Sequence, residues 1–311
     1  MKNSSLKKLW TNYFSNNYTY REWFFQKLGF AVLIFSLAYV VVFNYVVVPL
    51  PESICLFVDC TLLLKYPHWV LLVITGLLIL YLNEKWMIAT LSALSILVFL
   101  LCVIPDSNGH LLWLEVLFTI PVVQLLAYLL YSGNTQELAK SRVQFSVAAI
   151  AAIYVLSGTT KLQDSHFTWV TQTQNLPIHV LKASFNMAHS QLKGFTLSNT
   201  EWAQTVANWM LAHPKLLMVL TAFALGIELF AFLAVINKRF AWGYGFLLIL
   251  LHAGVRMAMS IVLPFIVLAM LVYYVNIFYF LWLVAYSVTV GIKNRVATVF
   301  NHFAPSRQTN S

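Results

Sequence analysis

The chain of 311 residues is 60% hydrophobic and only 9% charged, whereas soluble domains carry about 25% charged residues. That composition excludes a single water-soluble globule and describes an all-α, polytopic membrane helix bundle. The formal charge of +9 does not signal nucleic acid, because the basic residues sit mostly at segment ends and no basic cluster with interleaved aromatics stands out.

Apolar runs of about 20 residues, with shorter ones accepted where anchoring residues flank them, give eight predicted spans. Residues 1–27 form a polar segment without a cleavable signal peptide, so the first run, 28–50, reads as an uncleaved anchor. The following loop holds Cys55 and Cys60, which can form a local disulfide or a dithiol pair if the loop faces an oxidising compartment. Next come 69–82, with Pro67 as its starter, then 86–104, in which Cys102 is a packing residue. The runs 111–131 and 143–157 follow, the latter able to continue to 162. After a long polar stretch come 216–236, 240–257 and 261–290, with Gly254 and Ser260 suggesting a tight turn before the last. The resulting division is an N-terminal segment 1–27, a membrane bundle 28–290 and a tail 291–311, polar and expected to be disordered.

With eight crossings, thirteen of the nineteen Lys and Arg residues fall on the side of the termini. Both termini are then cytoplasmic and the chain is a multi-pass protein of the plasma membrane. The extracytoplasmic loop 158–214 holds two helix-like stretches, 177–192 and 199–212. The second opens on Asn199-Thr200-Glu201, a helix-start signal, and carries Trp202 and Trp209. Such stretches lie along the interface as a lid over the bundle.

Lys161 stands where the apolar run 143–157 gives out. Desolvation disfavours a charged ammonium, and a neutral amine there is a strong base suited to proton abstraction. The competing reading is a snorkelling lysine that only marks the membrane boundary. The predicted topology sets further polar groups at the same level. His110 precedes the span 111–131, Glu115 falls one turn inside it, and His252 lies toward the outer end of 240–257 with Arg256 four residues on, along the same helical face. Each has a plainer reading. His110 follows a turn-like Asp-Ser-Asn-Gly stretch, Arg256 can snorkel to lipid phosphates, and His252 can serve as a structural hydrogen-bonding group. Glu228 reads as a structural acid whose nearest ionic partners are Lys238 and Arg239. No nucleotide-binding loop, haem motif or paired-histidine metal motif is present, so no metal is expected.

Three patches carry a family resemblance: Tyr154-Val-Leu-Ser-Gly-Thr-Thr-Lys161-Leu with Trp169 soon after, Leu251-His252 through Met259 with Pro264-Phe265, and Asn108-Gly-His110-Leu-Leu-Trp-Leu. They resemble the lysine motif, the histidine helix and the asparagine-histidine start of a span in the vitamin K-dependent gamma-carboxylase and its bacterial relatives, the HTTM family. The likeness covers roughly 100–275. It implies Lys161 as the base that deprotonates a reduced naphthoquinone (reduced vitamin K or menaquinone), with His252 and His110 orienting or stabilising oxyanions. Arg256, Glu115 and Trp169 would line the substrate and quinone site. Oxygen would then convert the quinol into a stronger base that removes a glutamyl proton. The large extracytoplasmic domain of true carboxylases has no counterpart in these residues. The resemblance therefore implies a quinol-dependent oxygenase half-reaction, or modification of a small secreted peptide. The alternative is a non-catalytic accessory factor that matures a secreted peptide or toxin.

Overall fold

The computed structural model describes residues 2–15, 18–44, 61–106, 115–190, 197–259 and 264–303. Among them the chain is helical throughout, without a strand. Helix α1 (Lys2–Tyr13) precedes the long α2 (Tyr20–Asn44), and a short α3 (Thr61–Lys65) leads into α4 (Pro67–Leu82), α5 (Met87–Asp106), α6 (Glu115–Tyr131) and α7 (Thr135–Asp164). A 3-10 turn, Thr171–Asn175, then introduces α8 (Leu176–Ser190) and α9 (Leu197–Ala212). Helix α10 (Pro214–Leu229), a second 3-10 turn (Ala231–Val235), α11 (Lys238–Met259), α12 (Pro264–Met270), a π-helical turn (Leu271–Val275) and α13 (Ile277–Phe303) complete the order.

Three helical segments, Tyr20–Asn44, Glu137–Asp164 and Lys238–Met257, are long and apolar enough to cross a membrane. The number reaches five if each of two bent pairs, Glu201–Ala212 with Pro214–Leu229 and Pro264–Val275 with Ile277–Val290, is one span. Helices α4, α5 and α6 contribute shorter apolar segments. Proline sets the start of α4: Pro67 occupies its first turn, where a missing N–H costs nothing.

Helix α2 is the bundle's centre. Phe30, Leu33, Ile34, Leu37, Ala38 and Val41 are fully buried in a core continuous with Ile74 of α4, Leu91 of α5, Ile120 of α6, Ile150 of α7 and Leu248 of α11. At one end this core closes on a charged layer. Lys27 bonds Glu84 Oε1 at 3.0 Å, and Arg142 Nη1 lies 3.6 Å from the same oxygen. The Arg142 guanidinium also sits between the rings of Trp23 and Tyr128, at 5.0 and 5.2 Å. Glu84 occupies the α4–α5 turn with φ of 55°, a left-handed conformation that costs a non-glycine residue about 1–2 kcal/mol. Beside this layer Glu22 pairs with Lys238, while Lys238 and Arg239 reach the carbonyls of Asn12 and Phe14, so the end of α1 is capped by cations. One step deeper, Gln124 joins Tyr81, Tyr273 and Ser146 in a wholly buried network.

Several elements depart from the sequence reading. The run 261–290 is broken, with Asn276 at φ 49° and a bend of 59° between the flanking segments. Asn276 Nδ2 donates to the Glu22 carbonyl at 3.0 Å, which fixes the break. The run 216–236 leaves α-helix after Leu229, and α10 meets α9 at 100° across His213. Helix α9 begins at Leu197, so Asn199 lies in its first turn instead of capping it. Helix α13 continues to Phe303, into the tail expected to be disordered.

Candidate functional site

Helix α7 carries the site. Arg142, Ser146, Ile150, Tyr154, Gly158 and Lys161 follow one another at steps of four and three residues, the spacing of one helical face. Arg142, Ser146, Ile150 and Tyr154 are buried on that face. Nineteen residues separate Arg142 from Lys161, a rise of roughly 28 Å. That is close to the ~30 Å hydrocarbon thickness of a bilayer. If Arg142 marks one boundary, Lys161 stands near the other.

Lys161 does not reach freely into water. Its Nζ is ion-paired with both carboxylate oxygens of Glu228, and the two side chains are 28% and 9% exposed. The pairing with Lys238 or Arg239 expected from the sequence is corrected here, for a physical reason. Glu22 takes Lys238, and the early end of α10 leaves Glu228 level with the last turns of α7. Gly158 sets that approach: a Cβ there would lie 3.0 Å from Leu229 Cδ2 and 3.3 Å from the Leu229 backbone nitrogen. A larger residue would hold α10 away from Lys161.

The chain after α7 folds back over the lysine. His166 and Phe167 adopt φ of 50° and 65°, and the Phe167 N–H bonds the Leu162 carbonyl at 2.8 Å, a left-handed helix stop made without glycine. Ser165 Oγ then accepts the Trp169 N–H at 3.0 Å. The indole of Trp169 thereby comes within 5.8 Å of Lys161 Nζ as a cation–π partner. Leu162, Thr159, Gln163, His166 and Phe167 line an adjoining open groove of about 430 Å³. Another cavity, of about 290 Å³, lies by Tyr18, Lys140, Gln144 and Lys238 at the opposite end.

Two turns before Lys161, buried Tyr154 shares a hydrogen bond with Nε2 of buried His252, and Tyr154 Oη lies 3.4 Å from Met270 Sδ. Lys161 falls within electrostatic range of His252, as do Glu228 and Tyr274 of Tyr154. Of the residues singled out from sequence, Lys161, His252 and Trp169 therefore converge. Arg256 is exposed on α11, one turn beyond His252. The neighbouring Met257 carbonyl accepts Trp202 Nε1 at 2.9 Å, which ties α9 to this end of α11. His110, Cys55 and Cys60 lie outside the described residues, as does the side chain of Glu115. Sequence reasoning gave Tyr154 and Gly158 no role beyond their place in the lysine patch, and passed over Tyr274. The signal for the first two was their spacing of seven and three residues from Lys161, which sets all three on one helical face.

Among the described residues no three His, Cys, Asp or Glu side chains gather as a metal ion requires. What the arrangement can do is hold and move a proton. An ammonium–carboxylate pair has no net charge, and a tyrosine–imidazole pair stands within electrostatic reach of it. Comparison with protein-family models, curated proteins and solved structures finds no match.

Proposed function

We propose that the chain is an eight-span plasma-membrane protein of the gamma-carboxylase-like HTTM family, with cytoplasmic termini, that performs quinol-dependent base chemistry at its outer end. One observation carries this reading: the Lys161–Glu228 pair and the Tyr154–His252 pair, drawn from three helices, stand within electrostatic range of each other. The groups suit a lipid-soluble dihydroxyaromatic. Such a ligand needs a proton acceptor at a hydroxyl, polar contacts at a ring oxygen and otherwise apolar surroundings. Lys161, Glu228, Trp169 and the Tyr154–His252 pair would hold it.

A reduced naphthoquinone, when bound, supplies with oxygen the strong base that removes a proton from carbon. The protein's share is proton handling. In the ion pair Lys161 supplies the positive charge and the Glu228 oxygens supply the lone pairs that would take up a quinol proton. Protonation of a Glu228 oxygen leaves the Lys161 ammonium unbalanced, and that charge favours an anion beside it. Trp169 lies 5.8 Å from the ammonium and narrows its access to water, which strengthens the effect. The base is thus the pair, with Lys161 as its electrostatic half. Reconstituted protein given reduced menaquinone and oxygen should form quinone epoxide, and Lys161→Ala and Glu228→Gln should each abolish it. Undiminished epoxide from both variants eliminates this function.

A second reading has its own observation. Helices α8 and α9 pack around a separate small core of Val180, Ala203, Met210 and Leu217, and leave Trp202 and Trp209 exposed. That surface suits an accessory factor that docks a secreted peptide for maturation. Crosslinking of the peptide to α9, with full maturation after Lys161→Ala, would select it.

A further inference from the structure

Tyr274 poses a problem of polar bookkeeping. The residue is 3% exposed, and its hydroxyl has no hydrogen-bond partner among the described residues. Other tyrosines in the same core are satisfied: Tyr81 and Tyr273 by Gln124, Tyr154 by His252. A buried hydroxyl without a partner is destabilising, and a phenylalanine of nearly the same shape would avoid the cost.

The backbone is specialised to keep the side chain in place. Tyr274 belongs to the π-helical turn Leu271–Val275, which ends at left-handed Asn276. Such turns are rare and concentrate at functional sites. Across from it, α11 presents Gly245, where an added Cβ would lie 2.5 Å from Tyr274 Cβ. The ring is therefore seated directly on helix backbone, a contact that any other residue at 245 would break. The π-helical turn that holds the phenol follows directly on Met270, whose sulfur lies 3.4 Å from Tyr154 Oη, so Tyr274 stands on the Tyr154 side of the cluster, within electrostatic range of that tyrosine.

We propose that Tyr274 is a ligand-binding residue: its hydroxyl donates a hydrogen bond to a ring oxygen of a 1,4-dioxygenated aromatic ligand whose other oxygen faces the Lys161–Glu228 pair. The proposal rests on the functional reading above for the ligand class, and on the unpaired hydroxyl, the π-turn and the Gly245 seat for the residue. Oxidised and reduced rings both accept this hydrogen bond, so binding is measurable without turnover.

The test uses the full-length protein in nanodiscs, with a short-chain menaquinone in its oxidised form as probe and Trp fluorescence quenching as the binding signal. Tyr274→Phe should weaken binding by about tenfold, the loss of one hydrogen bond, while the ligand-free melting temperature holds or rises. Tyr273→Phe, which removes a satisfied hydroxyl, should lower the melting temperature and leave the dissociation constant unchanged. Parental affinity in Tyr274→Phe overturns the proposal. So does a ligand-free melting temperature lowered as far as in Tyr273→Phe, since the hydroxyl would then have a structural partner. Failure of the parent to bind the probe overturns the ligand class. Binding with the expected Tyr274 dependence but no epoxide formation leaves this proposal standing and eliminates the catalytic reading instead.

Discussion

An ammonium and a carboxylate held together in a poorly solvated place stabilise each other chiefly against the loss of either one. Glu228 is 7% exposed, so removing the Lys161 charge would leave a carboxylate that water can barely reach. Lys161→Met should therefore destabilise the protein by about 3 kcal/mol, whereas Lys161→Met with Glu228→Leu should recover most of that loss. Thermal or denaturant unfolding of the two single variants and the double variant in the same detergent measures the coupling. Strict additivity would show that the side chains do not interact. The lysine itself was readable from sequence, because a lone cation at the end of an apolar run is conspicuous. Its partner was not. Glu228 sits ten residues before Lys238, and only the early end of α10 and the bare face of Gly158 turn it toward α7 instead.

At the scale of elements, two local conformations work against their own residues. The stop after α7 uses His166 and Phe167 at positive φ, and Phe167 is 79% exposed. Phe167→Gly should then stabilise the turn by about 1 kcal/mol, since the backbone strain vanishes and little packing is lost. A lower melting temperature in that variant would mean that the ring has a buried role. The α4–α5 turn is the other case. Burial pushes the Glu84 carboxyl up, but hydrogen bonds from Trp23 and Lys27 and the charges of Lys27 and Arg142 outweigh it and hold the carboxyl below its ordinary range. A depressed folded value means that Glu84 contributes stability above the unfolded value, about 4.3, and that this contribution is lost as pH falls through the folded value. The melting-temperature gap between the parent and Glu84→Gln should accordingly be constant near neutrality and close below about pH 4.3. A gap independent of pH down to 3 would show that the charge is irrelevant. The sequence announced α4 through Pro67, yet left the break at Asn276 unannounced. Asn276 lies in an unbroken apolar run, and the hydrogen bond that holds its left-handed geometry is donated to the Glu22 carbonyl, about 250 residues away.

For the whole molecule, hydrophobic composition alone indicated helices and a membrane, and the all-helical fold with three to five candidate spans agrees at that level. Finer topology is harder to read, because short helices such as α4 and α6 depend on neighbours for burial and broken ones such as α10 hide their ends. The charged residues give an independent handle. Lys27, Glu84 and Arg142 form one layer, Lys238 stands beside it through Glu22 in the first turn of α2, and Lys161 lies at the far end of α7. If α7 crosses the bilayer with its start in the cytoplasm, as eight spans require, the turn before it and the 3-10 turn after it face opposite compartments. Ser132 and Gln172 are exposed at those two places. In a background with Cys55, Cys60 and Cys102 replaced, Gln172→Cys should react with a membrane-impermeant maleimide added to intact cells. Ser132→Cys should react only after the cells are permeabilised. Labelling of both from outside would mean that α7 does not cross, and the reverse pattern would turn the protein over and expose the Lys161–Glu228 pair to the cytoplasm. With eight crossings the positive-inside count would make that inversion costly, because thirteen of nineteen basic residues would then have to be translocated.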